Sequence, residues 1–493
     1  MDKTQLTFNE FQDLVRGCTT VPVYKRILAD LLTPVAAWVH LSQKAEYAFL
    51  LESVEKGNQY SRYSYVGINP QKILMHNNGK TTITENGKTI DIDTPFLTLL
   101  RETQSQYNMT KLPGIPSFTG GLVGYLGYET IAWVEDIPIH DESDIDIPDS
   151  VFMLFEDMIA FDHLKGSALV ISNVNVDINR DLKKQFDEAH ERVDSIGESL
   201  HSDVDYQTPI RVEKSTVSSN FNQDAFESAV LKAKEHIVDG DVFQLVLSQR
   251  FERQTSVEPT TLYRALRTIN PSPYMFHLKI NDFDIIGASP ELLVKVEDGI
   301  VEIRPIAGTR HRGGTEAEDQ VLADDLINDE KECAEHLMLL DLGRNDVGRV
   351  SEYGSVTIPE NMKIENYSHV MHIVSDVKGK LAKDKDPFDA LMSGFPAGTV
   401  TGAPKIRAME IIHELEQERR DIYSGAVGFF DFTGNVNTCI AIRTMIMKDG
   451  SAHFQSGAGI VHDSDPTKEF EETVNKAKAI MAAIDFAENG LVS

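Results

Sequence analysis

Residues 274–306, YMFHLKINDFDIIGASPELLVKVEDGIVEIRPI, decide the fold class. Short strand-like segments at 274–280, 284–287, 292–296 and 301–306 follow one another with turn-length breaks and no helical period between them. Strands joined so closely run antiparallel, because a parallel pair needs a crossover of a dozen residues or more. Working outward, Asn78-Gly79 and Asn86-Gly87 mark β-hairpins upstream. A strand at 242–251 sets Phe243, Leu245 and Leu247 on one face and Gln244, Val246 and Ser248 on the other. Downstream, 438–447 and 453–461 read as one hairpin about an Asp449-Gly450 turn, and 369–377 as a further strand. Helical patterns at 8–16, 94–106, 181–193, 223–238, 329–350, 387–392, 405–417 and 466–488 are placed without regular alternation, so the expected class is α+β. The architecture expected is large antiparallel sheets packed as a sandwich-like core with helices outside, in two intimately associated subdomains. These would be 1–196, a polar linker at 197–220, and 221–493.

Lys plus Arg number 47 against 77 Asp plus Glu, a formal net charge of −30. Nucleic acid and anionic membrane surfaces want a basic footprint, so neither is an expected partner. An anionic substrate would need a locally basic pocket. Cys18, Cys333 and Cys439 are widely spaced, with no CxxC pair, which implies no disulfide framework or zinc cluster. No apolar signal core or stretch of about 18 apolar residues is evident, so a cytoplasmic location is expected.

Candidate chemistry lies in five places. In 329–350, DEKECAEHLMLLDLGRNDVGRV, Glu332 and Glu335 stand one helical turn apart, and Glu469 and Glu472 repeat the pattern near the C-terminal end. Two such helices could converge on one hard divalent cation such as Mg2+, or could simply present solvated acidic faces. RPIAGTRHRGGT, 304–315, sets three arginines and a histidine among glycines, either to bind a carboxylate or as a basic surface turn. FPAGTVTGAP, 395–404, leads into the helix at Lys405, so its amides and the Thr399 or Thr401 hydroxyls would face an anion or merely cap the helix. Arg443, read as mid-strand among apolar neighbours, is costly there unless paired or ligand-bound, and glycine-bearing QSGAG, 455–459, lies opposite. His372 in VMHIV could be a core histidine or a catalyst. The glycine-rich run 118–127 lacks a following Lys-Ser/Thr and reads as tight strand packing.

These motifs, with GASPELLVK (287–295), EHLMLLDLGRNDVGRV, VMHIVSDVKG (370–379), AIRT and GAGIVHDSDP in this order, resemble the large subunits (component I) of anthranilate synthase, among the chorismate-utilising enzymes. LLES (50–53) and NPSPYMF (270–276) extend the likeness into the N-terminal half. The resemblance implies a lyase that converts chorismate and ammonia to anthranilate and pyruvate, with Mg2+ as cofactor. Glu335 and Glu472 look like metal ligands, supported by Glu332 and Glu469. Gly308, Thr309, Tyr423, Arg443, the amides of Gly457, Ala458 and Gly459, and Lys476 look like substrate contacts. Thr399 resembles a residue near the leaving side, and His372 the histidine that moves a proton during pyruvate elimination. Ser53, Pro273, Tyr274 and Met275 resemble contacts of a tryptophan feedback inhibitor in the first subdomain. A glutamine amidotransferase subunit (component II) is the implied partner. Salicylate and isochorismate synthases carry a water-activating lysine where this chain has Gln244, which implies ammonia as nucleophile. Aminodeoxychorismate synthases often carry PIKGT where this chain has PIAGT, with Ala307. The alternatives are such a component I, or a tryptophan-sensing relative without catalysis.

Overall fold

A computed structural model describes residues 4–54, 62–141, 143–200, 210–367 and 370–492. The middle of the linker, 201–209, and His369 of the expected strand 369–377 lie outside them. The helix Gln223–Val238, the strand Tyr274–Ile280 and the helix Pro466–Glu488 have the bounds that the sequence pattern predicts. Both Asn-Gly pairs take positive φ, 47° and 75° at residues 78 and 79 and 52° and 72° at 86 and 87, as two-residue hairpin turns require. The apolar stretch at 34–41 is the helix Pro34–Ser42.

Two large antiparallel sheets form the core. A 12-stranded sheet runs from Thr20–Leu28 at one edge to Val217–Ser219 at the other, and a 10-stranded sheet from Val377–Lys380 to Lys88–Ile92. Both take strands from either side of the linker: Tyr47–Glu52 pairs Tyr274–Ile280 in the first, and Gly121–Leu126 pairs Ala426–Asp431 in the second. Phe49, Phe276 and Leu278 of the first pack on Val123, Met153 and Val427 of the second, which closes a sandwich. Gly121 and Gly124 let their strand lie close to its neighbours within the 10-stranded sheet, since an added Cβ would fall 2.0 and 1.9 Å from the Phe430 and Val151 carbonyl oxygens. The helices Pro34–Ser42, Pro259–Ile269 and Pro466–Glu488 cover one outer face, and Glu330–Gly348 with Pro387–Gly394 the other.

Three segments that read as single strands are each broken. Residues 301–306 divide at Pro305 into Ile300–Ile303 of the 10-stranded sheet and Ile306–His311 of a separate three-stranded sheet. Residues 369–377 divide between Val370–Val374 and Val377–Lys380. Residues 438–447 divide into Val436–Ile440 and Thr444–Lys448, one in each large sheet, with Arg443 at the crossing in a left-handed conformation (φ 51°). Arg443 is therefore a corner residue and not mid-strand. Apolar alternation stays continuous across such corners because both sides are buried. Phe243, expected inward with Leu245 and Leu247, precedes the strand Gln244–Gln254 and is 73% exposed.

Candidate active site

The strand Ser451–Ile460 pairs Thr444–Lys448 only as far as Met445 opposite Phe454, while Gln244–Gln254 continues along its other side to Leu245 opposite Ile460. Its stretch 455–460 thus has one ladder partner, and Arg443 turns off beside the open edge. Gly457 and Gly459 leave the space: an added Cβ would sit 2.8 Å from the Tyr423 hydroxyl and 2.8 Å from Gln244 Nε2. Ala458 points the other way, into a core with Leu245 and Leu247, so only its backbone could serve the site. Arg443 is half-buried and donates from one terminal nitrogen to the Lys476 carbonyl at 2.9 Å. Among the described residues no carboxylate forms an ion pair with it, and burial pushes its guanidinium below the usual value, with Tyr423 opposing.

His372 occupies the middle strand of the three-stranded sheet, with Thr309 opposite on one side and Glu365 on the other. The ladder slips at Gly308, whose φ of 67° turns its carbonyl onto His372 Nδ1 at 2.8 Å; the Thr309 hydroxyl is 3.2 Å from the same nitrogen. A carbonyl only accepts, so Nδ1 carries the proton and Nε2 is bare. Burial lowers the imidazole pKa, so the ring is neutral near pH 7.

Helices position the acids. Asp329 caps Glu330–Gly348 by accepting from the Lys331 and Glu332 amides, and Asp465 caps Pro466–Glu488 by accepting from Lys468. Burial raises the Glu335 carboxyl pKa, and Glu332 raises it further, while Gln244 hydrogen-bonds to it. Burial raises Glu469 as well, and Glu472 adds to this. Lys331 and Lys476 act electrostatically on both Glu335 and Glu469, which sets the two pairs near one another. They are not drawn into a cage: Glu472 pairs with Lys476 at 2.7 Å and Glu332 with Arg310 at 3.5 Å. Among the described residues, no three His, Cys, Asp or Glu side chains gather closely enough to hold a metal.

The side chains of two anion-site candidates are already engaged. In 304–315, Arg304 pairs with Glu365 and Asp376, Arg310 with Asp325 and Asp329, and Arg312 with Asp319. The Thr401 hydroxyl donates to the Ala397 carbonyl and the Thr399 hydroxyl to Glu291 Oε1, both at 2.8 Å, so neither caps the helix Lys405–Leu415 or awaits an anion at its start. Glu291 is a residue that the motif reading passed over. Burial pushes its carboxyl up to about 7, with Thr399 and Lys476 opposing. That places a proton donor beside Lys476.

A second cavity, about 340 Å³, lies between the large sheets. Ser53, Pro273, Tyr274 and Met275 all line it, at the seam where Glu52 pairs with Met275. Two of its polar atoms, Ser53 Oγ and Asn437 Oδ1, are buried with no hydrogen-bond partner among the described residues.

Residues 46–482 match the model of the chorismate binding enzyme family. Anthranilate synthase component 1 of Acetivibrio thermocellus is 45% identical over 491 residues, 98% of both chains. The Synechocystis protein of the same name is 45% identical over 499 residues, 97% of this chain and 98% of its own. The crystal structure of anthranilate synthase component I from Streptococcus pneumoniae superposes with a TM-score of 0.78 at 38% identity, over 92% of this chain and 99% of that one. The chain belongs to the chorismate binding enzymes, within their anthranilate synthase component 1 group.

Proposed function

We propose that this chain aminates chorismate with ammonia and eliminates pyruvate, giving anthranilate. Arg443 carries the reading: a half-buried cation with no carboxylate partner among the described residues, beside an open glycine edge, matches a flat dianion. Lys476, donating to the Gly457 carbonyl at 3.0 Å, adds a second cation at that edge.

In this reading the ammonia lone pair forms the C2–N bond, the ring double bonds shift, and the C4–O bond breaks. Glu291, protonated up to about pH 7, supplies the proton with which the hydroxyl leaves as water. Gln244 has no basic lone pair, so water is not activated at that position. His372 then takes the C2 proton at bare Nε2, the C3–O bond breaks, and enolpyruvate departs to become pyruvate as the ring aromatises. Glu335 and Glu472, with Glu332 and Glu469, would hold Mg2+ in exchange for the Lys476 and Arg310 pairings of Glu472 and Glu332; the burial of Glu335 and Glu469 and the repulsion within each pair fit a hard divalent cation. Bound there, Mg2+ would neutralise the ring carboxylate.

The inter-sheet cavity is the proposed tryptophan site, where Ser53 Oγ and Asn437 Oδ1, buried with no partner among the described residues, would meet the ligand's polar groups. The ammonia is proposed to come from glutamine through an amidotransferase subunit. None of the three cysteines lies on a Gly-x-Cys-x-Gly turn, and Cys439 is buried in a strand.

The test is purified chain with chorismate, Mg2+ and ammonium, followed by anthranilate fluorescence. Anthranilate is expected with ammonium and none with glutamine alone. An amine placed at C4 would instead mark an aminodeoxychorismate synthase, and tryptophan binding without turnover a sensor. Tryptophan should inhibit the wild type, and Ser53→Phe, which fills the cavity, should abolish that inhibition.

A further inference from the structure

Tyr367 stands between the inter-sheet cavity and His372. It lines the inter-sheet cavity together with Ser53 and Arg304, and its ring meets the imidazole of His372 edge-on, with centroids 5.4 Å apart and planes at 67°. Its hydroxyl donates to Glu365 Oε2 at 3.0 Å, and Arg304 donates to Glu365 Oε1 at 2.7 Å. Glu365 in turn lies across the ladder from His372. The tyrosine ring is thus held from the cavity side, while the imidazole is held by the Gly308 carbonyl and by this ring. The hydrogen bond at Nδ1 selects one orientation of the imidazole, and the Tyr367 ring packed against it limits the swing that remains about the soft terminal torsion, so the two together set where Nε2 points.

We infer that Tyr367 is a positioning residue for His372 and transmits the occupancy of the inter-sheet cavity to it. The positioning half stands on the contact geometry and the proposed role of His372, and the transmission half rests on the inhibitor reading above. A ligand that fills the cavity presses on Tyr367, and a small displacement of that ring is a change in the direction of the bare nitrogen. Inhibition then needs no contact between inhibitor and chorismate.

The experiment uses the full chain with chorismate, Mg2+ and ammonium, as wild type, Tyr367→Leu, Tyr367→Met and Tyr367→Phe. It measures kcat, KM for chorismate, the aminated non-aromatic intermediate by chromatography, and binding of labelled tryptophan by equilibrium dialysis. Leucine or methionine is expected to lower kcat about tenfold with KM within about twofold, and to accumulate the intermediate, because the His372 step is the one slowed. A general loss of structure would not produce that split. Phenylalanine, which keeps the ring, should recover most of kcat and remove the intermediate. Residual activity of the leucine variant should resist tryptophan at concentrations that occupy the site by dialysis.

Wild-type kcat with no intermediate in both aliphatic variants, or no rescue by phenylalanine, would overturn the positioning role. Lowered kcat with full inhibition would overturn the transmission. A wild type that binds no tryptophan would count against the inhibitor reading and remove transmission with it. The kcat, intermediate and rescue arms would then still decide the positioning role.

Discussion

Arg304, Arg310 and Arg312 on one side of the site and Arg443 on the other carry the same guanidinium in opposite circumstances. The first three end on carboxylates of the neighbouring helices and strands. Arg443 ends on a backbone carbonyl beside a glycine edge. In a chain of formal net charge −30, an exposed arginine soon meets an acid. A cation stays available to a substrate only where local packing keeps acids away, and the sheet-to-sheet corner at residues 441–443 does that. The difference teaches that availability, rather than number, makes a basic motif a binding site.

The sharpest test of this contrast replaces one arginine from each side. Arg443→Ala should lower kcat/KM for chorismate about 10³-fold, as the loss of a desolvated charge contact does. Arg312→Ala should leave it within about threefold. Similar losses in both variants would erase the distinction.

A smaller effect is expected from the acid that Lys476 and Thr399 keep near neutrality. Glu291→Gln should lower kcat about 10²-fold. Because burial raises this carboxyl to about 7, its protonated form is lost as pH rises through that value. Turnover per free ammonia should therefore fall above pH about 7 in the wild type, even while total ammonium becomes a better substrate. Glu291→Gln should lack that falling limb. A limb that persists in the variant would assign the titration elsewhere.

The smallest effect concerns stability on the paired side. Arg312 holds the Asp319 carboxyl below the usual range, so the pair's contribution is present above that range and is lost as pH falls through it. Arg312→Ala should lower Tm by no more than about 2 °C at neutral pH, with the difference vanishing in acid or in high salt. A drop unaffected by pH and salt would show packing rather than charge at work.

Local signals carried much of this structure. Period and turn chemistry gave the final helix, the Asn-Gly hairpins and the antiparallel class, because each depends on neighbours a few residues away. The corners at 303–306, 374–377 and 440–444 were illegible, since alternation continues wherever both sheets bury the chain. The neutralised arginines were illegible for another reason: Asp376 and Asp319 are acids like any others until the fold brings them near. Glu291 hid in GASPELLVK as an ordinary polar residue, and only its burial makes it an unusually weak acid that keeps its proton up to about pH 7. Ser53, Pro273, Tyr274 and Met275, by contrast, were grouped from motifs in both halves of the chain, and they line one cavity.

The interleaving of strands from both sides of the linker has a consequence for biosynthesis. During translation, Tyr47–Glu52 has no Tyr274–Ile280 to pair with, and Gly121–Leu126 waits for Ala426–Asp431. Both sheets therefore remain open at their middles until the ribosome has delivered most of the polypeptide. Such topologies fold slowly and leave edges exposed to wrong partners meanwhile. A premature stop near residue 420 would not trim a module; it would leave the earlier strands without a sandwich to join. Nascent-chain quality control should engage this protein late and at length.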